Sequence, residues 1–113
     1  MKLEQIISEL DLTAADSGVS LDRDVTGGYV SDLLSDVIGN SREGQLWVTL
    51  QVHVNTIAVA SLKGLAGIIM VNGRRPEDST LARAADEGVP ILLTPLPAFE
   101  VAGRLYALGL RCR

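Results

Sequence analysis

The sequence predicts an α/β fold, with helices covering both faces of a mainly parallel sheet of about 4–5 strands in three α/β/α layers. Two observations carry this reading. Three short apolar runs, Leu46–Leu50, Gly67–Val71 and Pro90–Thr94, alternate with three helix-like segments. That alternation predicts βαβ units with right-handed crossovers, hence parallel strands. Length is the second. A chain of 113 residues is expected to form a single domain over 1–113, because no linker, repeat or low-complexity segment interrupts it.

The elements follow in order. Lys2–Leu10 reads as an amphipathic helix, since Leu3, Ile6, Ile7 and Leu10 fall on one face. Leu12–Ala15 is a short strand, and Ser17-Gly18 a turn. Val25–Ser31 is a strand around two adjacent glycines, which permit positive φ and close approach. Asp32 is placed to cap a helix through Ile38, ended by Gly39-Asn40. Leu46–Leu50 has high β propensity. Val54–Leu62, with Asn55 as its cap, reads as a largely buried helix. Gly67–Val71 has the continuous apolar form of a central strand buried on both faces. Pro76 suits the first position of a helix that runs to Glu87 before Gly88. Pro90–Thr94 is the next buried strand. Pro97 opens a last helix to Leu108, closed by Gly109.

Composition narrows the function. Aromatic residues are 4% of the chain against 47% hydrophobic, so the core is aliphatic. A net charge of −4 without a basic stripe argues against nucleic acid as a partner. The single cysteine, Cys112, cannot form an internal disulfide. The N-terminal residues lack a signal-peptide core, and no apolar run approaches the roughly 18 residues of a membrane span. A cytoplasmic location without membrane contact is expected.

In an open parallel sheet, ligands bind beyond the carboxyl ends of the strands. That rule selects Ser31 and Asp32, then Thr49, Gln51, His53 and Asn55, then Asn72, Gly73, Arg74 and Arg75, and finally Thr94. In an extended segment Gln51, His53 and Asn55 would share a face. They can meet a ligand there, or His53 and Asn55 can satisfy loop amides and cap the following helix. A lone histidine is a poor metal site, so neither a metal nor a cofactor is expected. Thr26-Gly27-Gly28 can hold an anion on its amides, or simply bend the strand. Arg74-Arg75 can clamp a phosphate or carboxylate, or stand as an exposed loop pair. Asp22, Asp24, Asp32 and Asp36 offer carboxylates for acid–base work or a cation, or serve as solvated acids and helix caps. Neither a nucleotide phosphate loop nor a nucleophile elbow occurs in the sequence.

Asp24-Val25-Thr26-Gly27-Gly28 resembles the signature of the DRTGG domain family. The resemblance continues through Tyr29–Asp36, through Leu46–Asn55 and through the segment Ala98–Tyr106, and so covers nearly the whole chain. One departure stands out: Val25 occupies the place of the family's name-giving arginine, and Arg23 lies two residues earlier. The resemblance implies a small α/β fold similar to the N-terminal domain of HPr kinase/phosphorylase. In that family the domain is fused to CBS pairs or to phosphotransacetylase-type enzymes, which implies a regulatory, ligand-sensing role.

These readings combine into an expectation of a non-enzymatic module from a bacterial or archaeal cytoplasm. It would bind a small anionic metabolite or nucleotide near Thr26, Gly27, Gly28, Asp32, Gln51, His53, Asn55 and Asn72. The competing expectation is an interaction module, a homodimer acting in trans on a metabolic enzyme. A transferase using His53 and an aspartate is the weakest alternative, because the sequence offers His53 no neighbouring base, metal set or phosphate cradle.

Overall fold

Each apolar run becomes a strand, and the strands lie side by side in one sheet. The computed structural model describes residues 1–15 and 18–112. In chain order the elements are α1 (Leu3–Leu10), β1 (Thr13–Ala14), β2 (Gly27–Val30), α2 (Leu34–Asn40), β3 (Gln45–Thr49), α3 (Asn55–Lys63), β4 (Gly67–Met70), α4 (Asp78–Glu87), β5 (Ile91–Leu93) and α5 (Ala98–Ala107). The sheet order is β1-β5-β4-β3-β2. Strands β2 to β5 are parallel, and β1 closes one edge antiparallel to β5. The expected three-layer α/β/α arrangement with a mainly parallel sheet is the observed one. Of the turn expected at Ser17-Gly18, Ser17 lies outside the described residues.

The period-2 geometry of the strands sorts side chains into two cores. Leu46 and Val48 of β3, Ile69 of β4 and Leu92 of β5 pack with Leu3, Ile6 and Leu10 of α1 and Val101 and Leu105 of α5. The alternate positions Trp47, Ile68, Met70 and Ile91 pack with Val37 of α2, Ile57 and Ala60 of α3 and Ala84 of α4. So α1 and α5 cover one face, and α2, α3 and α4 the other. Strand β4 is buried at all four positions, as a central strand must be.

Several local expectations are corrected. Asp32 does not cap α2: Leu33 holds the cap position without a side-chain cap bond, and its amide donates to the Ser31 hydroxyl (3.2 Å). Gly39 lies inside α2, and Asn40 is its last residue. Helix α4 starts at Asp78, beyond Pro76, with Glu77 at the cap position. Asn55 is the first residue of α3 rather than its cap. Neither Gly27 nor Gly28 takes positive φ; both lie in ordinary strand geometry. The family tag therefore begins a straight edge strand and makes no left-handed turn. A glycine does matter at Gly88, where φ is 69° and the chain leaves α4. Arg23 donates through its guanidinium to the Gly88 carbonyl, tying the segment before β2 to the end of α4.

Candidate functional site

The carboxyl ends of β2 and β3 are joined by a polar latch. Asp32 leaves β2 and turns its carboxylate toward β3, where it accepts from the Thr49 hydroxyl (2.9 Å) and the Leu50 amide (2.7 Å). Gln51 donates through Nε2 to the Asp32 carbonyl (2.9 Å), and its own amide donates to the Thr49 hydroxyl (3.1 Å). Beneath them the indole of buried Trp47 donates to the Ser31 carbonyl (2.8 Å). Asp32 and Gln51 thus come together as the sequence predicted. Their polar atoms are largely engaged with one another, which fixes two loops in register.

His53 and Asn55 behave differently. The segment from Gln51 to Asn55 is not extended but turns into α3, so these residues do not share one strand face. His53 Nδ1 accepts from the Asn55 amide (3.2 Å), and the His53 carbonyl accepts from the Thr56 hydroxyl (2.7 Å). His53 therefore satisfies the first amide of α3, the capping alternative foreseen for it. Both His53 and Asn55 remain exposed.

Across the sheet, β4 and β5 end in a second group. Asn72 adopts a left-handed conformation (φ 59°), followed by Gly73 (φ 69°). Such a conformation is uncommon for a non-glycine residue, and asparagine tolerates it best. It is held by two backbone bonds, from the Asn72 amide to the Leu96 carbonyl (2.9 Å) and from the Gly73 amide to the Thr94 carbonyl (3.0 Å). The loop throws Arg74 and Arg75 outward. Both are exposed, and among the described residues neither side chain makes an ion pair or hydrogen bond. The buried Thr94 hydroxyl accepts from the Leu96 amide (3.2 Å), which leaves its proton free to donate.

The Thr26-Gly27-Gly28 stretch lies at the amino end of β2, so four to six residues of mostly extended chain, roughly 13–20 Å, separate it from Asp32. Two of its amides have partners: Thr26 donates to the Gly44 carbonyl (2.9 Å) and Gly28 to the Arg111 carbonyl (3.0 Å). The eight candidate residues consequently fall at two opposite ends of the sheet. Val25 is 2% exposed and packs in the core under α1 and α5, so the family's arginine position is here an interior one.

The remaining acids have structural partners. Lys2 pairs with Asp22 (3.2 Å) and Asp24 (3.4 Å), and both carboxylates raise its pKa. Asp36 lies below the usual carboxylate range, because the Ser31 hydroxyl, the Asn40 amide and the Tyr29 hydroxyl all face its charged form. The bond from Tyr29 to Asp36 (2.9 Å) in turn raises the Tyr29 pKa. Among the described residues, no group of three or more His, Cys, Asp or Glu is placed to hold a metal. Among the same described residues, no helix is long and apolar enough to cross a membrane.

Three concavities of different chemistry open on the surface. One of about 350 Å³ runs between β2 and α5 and is mainly apolar, lined by Val30, Val48, Leu105 and Tyr106. Its end is closed by Arg111, whose guanidinium lies 3.6 Å over the Tyr106 ring centre. Sequence reasoning missed it, since only the return of Leu110–Cys112 against β2 creates it. The other two adjoin at the opposite edge. A cavity of about 190 Å³ is lined by Arg74, Arg75, Gly73 and Thr94. One of about 460 Å³ lies between β1 and α4.

No protein-family model matches the chain, and no curated protein matches it. A solved structure does: the CBS and DRTGG domains of the regulatory region of Clostridium perfringens pyrophosphatase, complexed with its activator diadenosine tetraphosphate. The similarity covers 98% of this chain at a TM-score of 0.67, with 16% sequence identity. The chain spans about half of that structure, 48% of its length. The arrangement of five strands and five helices described above is thus a fold that also occurs in the regulatory region of a pyrophosphatase.

Proposed function

We propose that this chain is a non-enzymatic regulatory module that binds a small anionic ligand of the nucleotide class at the carboxyl edge of its sheet. The observation that carries the reading is the fold likeness, over 98% of the chain, to a regulatory region crystallised with a nucleotide activator. The resemblance of Asp24–Asp36 to the DRTGG family supports the same role. The carboxyl edge carries two polar groups that can meet such a ligand, Asp32, Gln51, His53 and Asn55 after β2 and β3, and Asn72, Arg74, Arg75 and Thr94 after β4 and β5, while Thr26-Gly27-Gly28 lies at the other end of the sheet. Ligand-induced stabilisation tests this directly. Diadenosine tetraphosphate, mononucleotides and phosphorylated metabolites are screened by thermal unfolding. A ligand at about 100 times its Kd adds about 2.7 kcal/mol, worth roughly 10 °C for a domain of this size. No shift with any of them refutes the reading.

A second reading, an interaction module that self-associates, is supported by the apolar groove beside β2. Val30, on edge strand β2, is 50% exposed and Tyr106 of α5 is 61% exposed, and among the described residues β2 bonds outward through Gly28 to Arg111. A homodimer across this edge would cover them. Sedimentation velocity decides: a concentration-dependent dimer lost in Tyr106→Glu supports it, and a monomer at all concentrations refutes it.

A further inference from the structure

The two cavities at the β1 edge share Thr13, Arg75 and Leu93 in their walls, so they adjoin as the two parts of a groove along that edge. The parts differ in chemistry. The smaller has two guanidinium groups and the hydroxyls of Thr13 and Thr94 around it. The larger has an apolar wall from Ala14, Ala15, Leu81 and Leu93, with one carboxylate, Asp78, at its rim. The smaller part alone is below the usual size of a small-molecule site, about 300–1,000 Å³, and the larger, at about 460 Å³, falls inside that range.

We propose that this groove takes a nucleoside phosphate, with the phosphate against Arg74, Arg75 and Thr94 and the nucleoside between β1 and α4. The assignment rests on the ligand class proposed above, and adds where that ligand sits. Arginine forks match phosphate oxygens geometrically, and these two are free of carboxylate partners among the described residues of an acidic chain. The Asn72 and Gly73 amides are bonded to the β5–α5 loop, so these two are not available to an oxyanion and the arginine side chains are its nearest charged donors. The same two bonds fix the base of the arginine loop against the carboxyl end of β5, where the Thr94 proton remains available. Leu81 and Leu93 offer an apolar bed for a base, and Asp78 can accept from a ribose hydroxyl or an exocyclic amine. The groove lies at the carboxyl ends of β4 and β5, where ligands enter open parallel sheets.

The experiment is an NMR titration of the full chain with ADP, AMP, adenosine, ribose 5-phosphate and inorganic phosphate. ADP and AMP are expected to move the amides of Gly73, Arg74, Thr94, Ala15 and Leu81. Adenosine, ribose 5-phosphate and inorganic phosphate are expected to bind at least tenfold more weakly than ADP. A Arg74→Ala/Arg75→Ala variant should weaken ADP at least tenfold with an unchanged unfolding temperature, since both side chains are exposed. Arg42→Ala, an exposed arginine at the other end of the sheet, controls for bulk charge and should bind as the wild type does. If ADP binds but its shifts map to Asp32, Gln51 and His53, or if the double variant binds normally, this groove is excluded while the sensing role survives. If inorganic phosphate binds as tightly as ADP, the nucleoside half is excluded. If no probe binds, the site and the nucleotide-sensing role fall together.

Discussion

Replacing Val25 by arginine introduces the residue found at the matching place of the DRTGG signature, and here it is expected to damage the protein. Val25 is 2% exposed, surrounded by the core formed between the sheet, α1 and α5. Truncation to alanine removes two carbons from that core. At about 0.8 kcal/mol per buried methylene, plus a cavity term, Val25→Ala should cost about 2 kcal/mol. Val25→Arg loses the same contacts and places a guanidinium among aliphatic side chains. An uncompensated buried charge costs about 3–5 kcal/mol. The arginine stem can run outward and carry the charge toward water, which favours the lower end, about 3 kcal/mol. Urea unfolding followed by the fluorescence of Trp47, the single tryptophan and fully buried, measures both variants. A midpoint shift at constant m is expected, with Tm lowered by roughly 12 °C for the arginine variant. A Val25→Arg protein as stable as the wild type would refute the interior role of this position.

Other outcomes follow from the same contacts. Asp32→Ala removes the acceptor of the Thr49 hydroxyl and the Leu50 amide, and should cost about 1–2 kcal/mol in urea unfolding. An unchanged midpoint would show that the latch does not stabilise the sheet end. Trp47→Phe leaves the Ser31 carbonyl without its indole donor and should cost about 1–3 kcal/mol, read by circular dichroism during heating. Asp36 has a depressed pKa in the fold, so its contribution is fully present above the ordinary value of 3.8 and is lost as pH falls through the lowered one. Wild-type stability should therefore fall more steeply than that of Asp36→Asn below about pH 4; parallel curves would remove Asp36 from the acid response.

The repeating units of the fold were legible because their physics is local. Gly67–Val71 is apolar at every position, and only a strand covered on both faces places such a run. Three runs of that kind alternating with helices leave little choice but a parallel sheet. Helix starts were less legible. Asp32 has the chemistry of a cap, yet its carboxylate finds Thr49 and Leu50, partners that exist only once β2 and β3 are paired. His53 caps α3 through a ring nitrogen, which no simple cap preference signals. The two glycines permit positive φ without requiring it, and the strand they begin does not use it. The grooves were out of reach of sequence, because each needs elements distant along the chain. Thr13 of β1 meets Arg75 only because β1 joins the sheet antiparallel to β5. Arg74-Arg75 itself was visible as a possible anion clamp. What the sequence lacked was the cavity beside it.

A crystal structure of the chain grown with saturating ADP tests the regulatory, nucleotide-binding role most directly. The diphosphate is expected within hydrogen-bonding distance of Arg74, Arg75 and Thr94, with the adenosine between β1 and α4. An ADP-free groove with nucleotide at Asp32 and His53 would move the site while keeping the role, and crystals without nucleotide, from a protein that shows no binding in solution, would contradict the role itself.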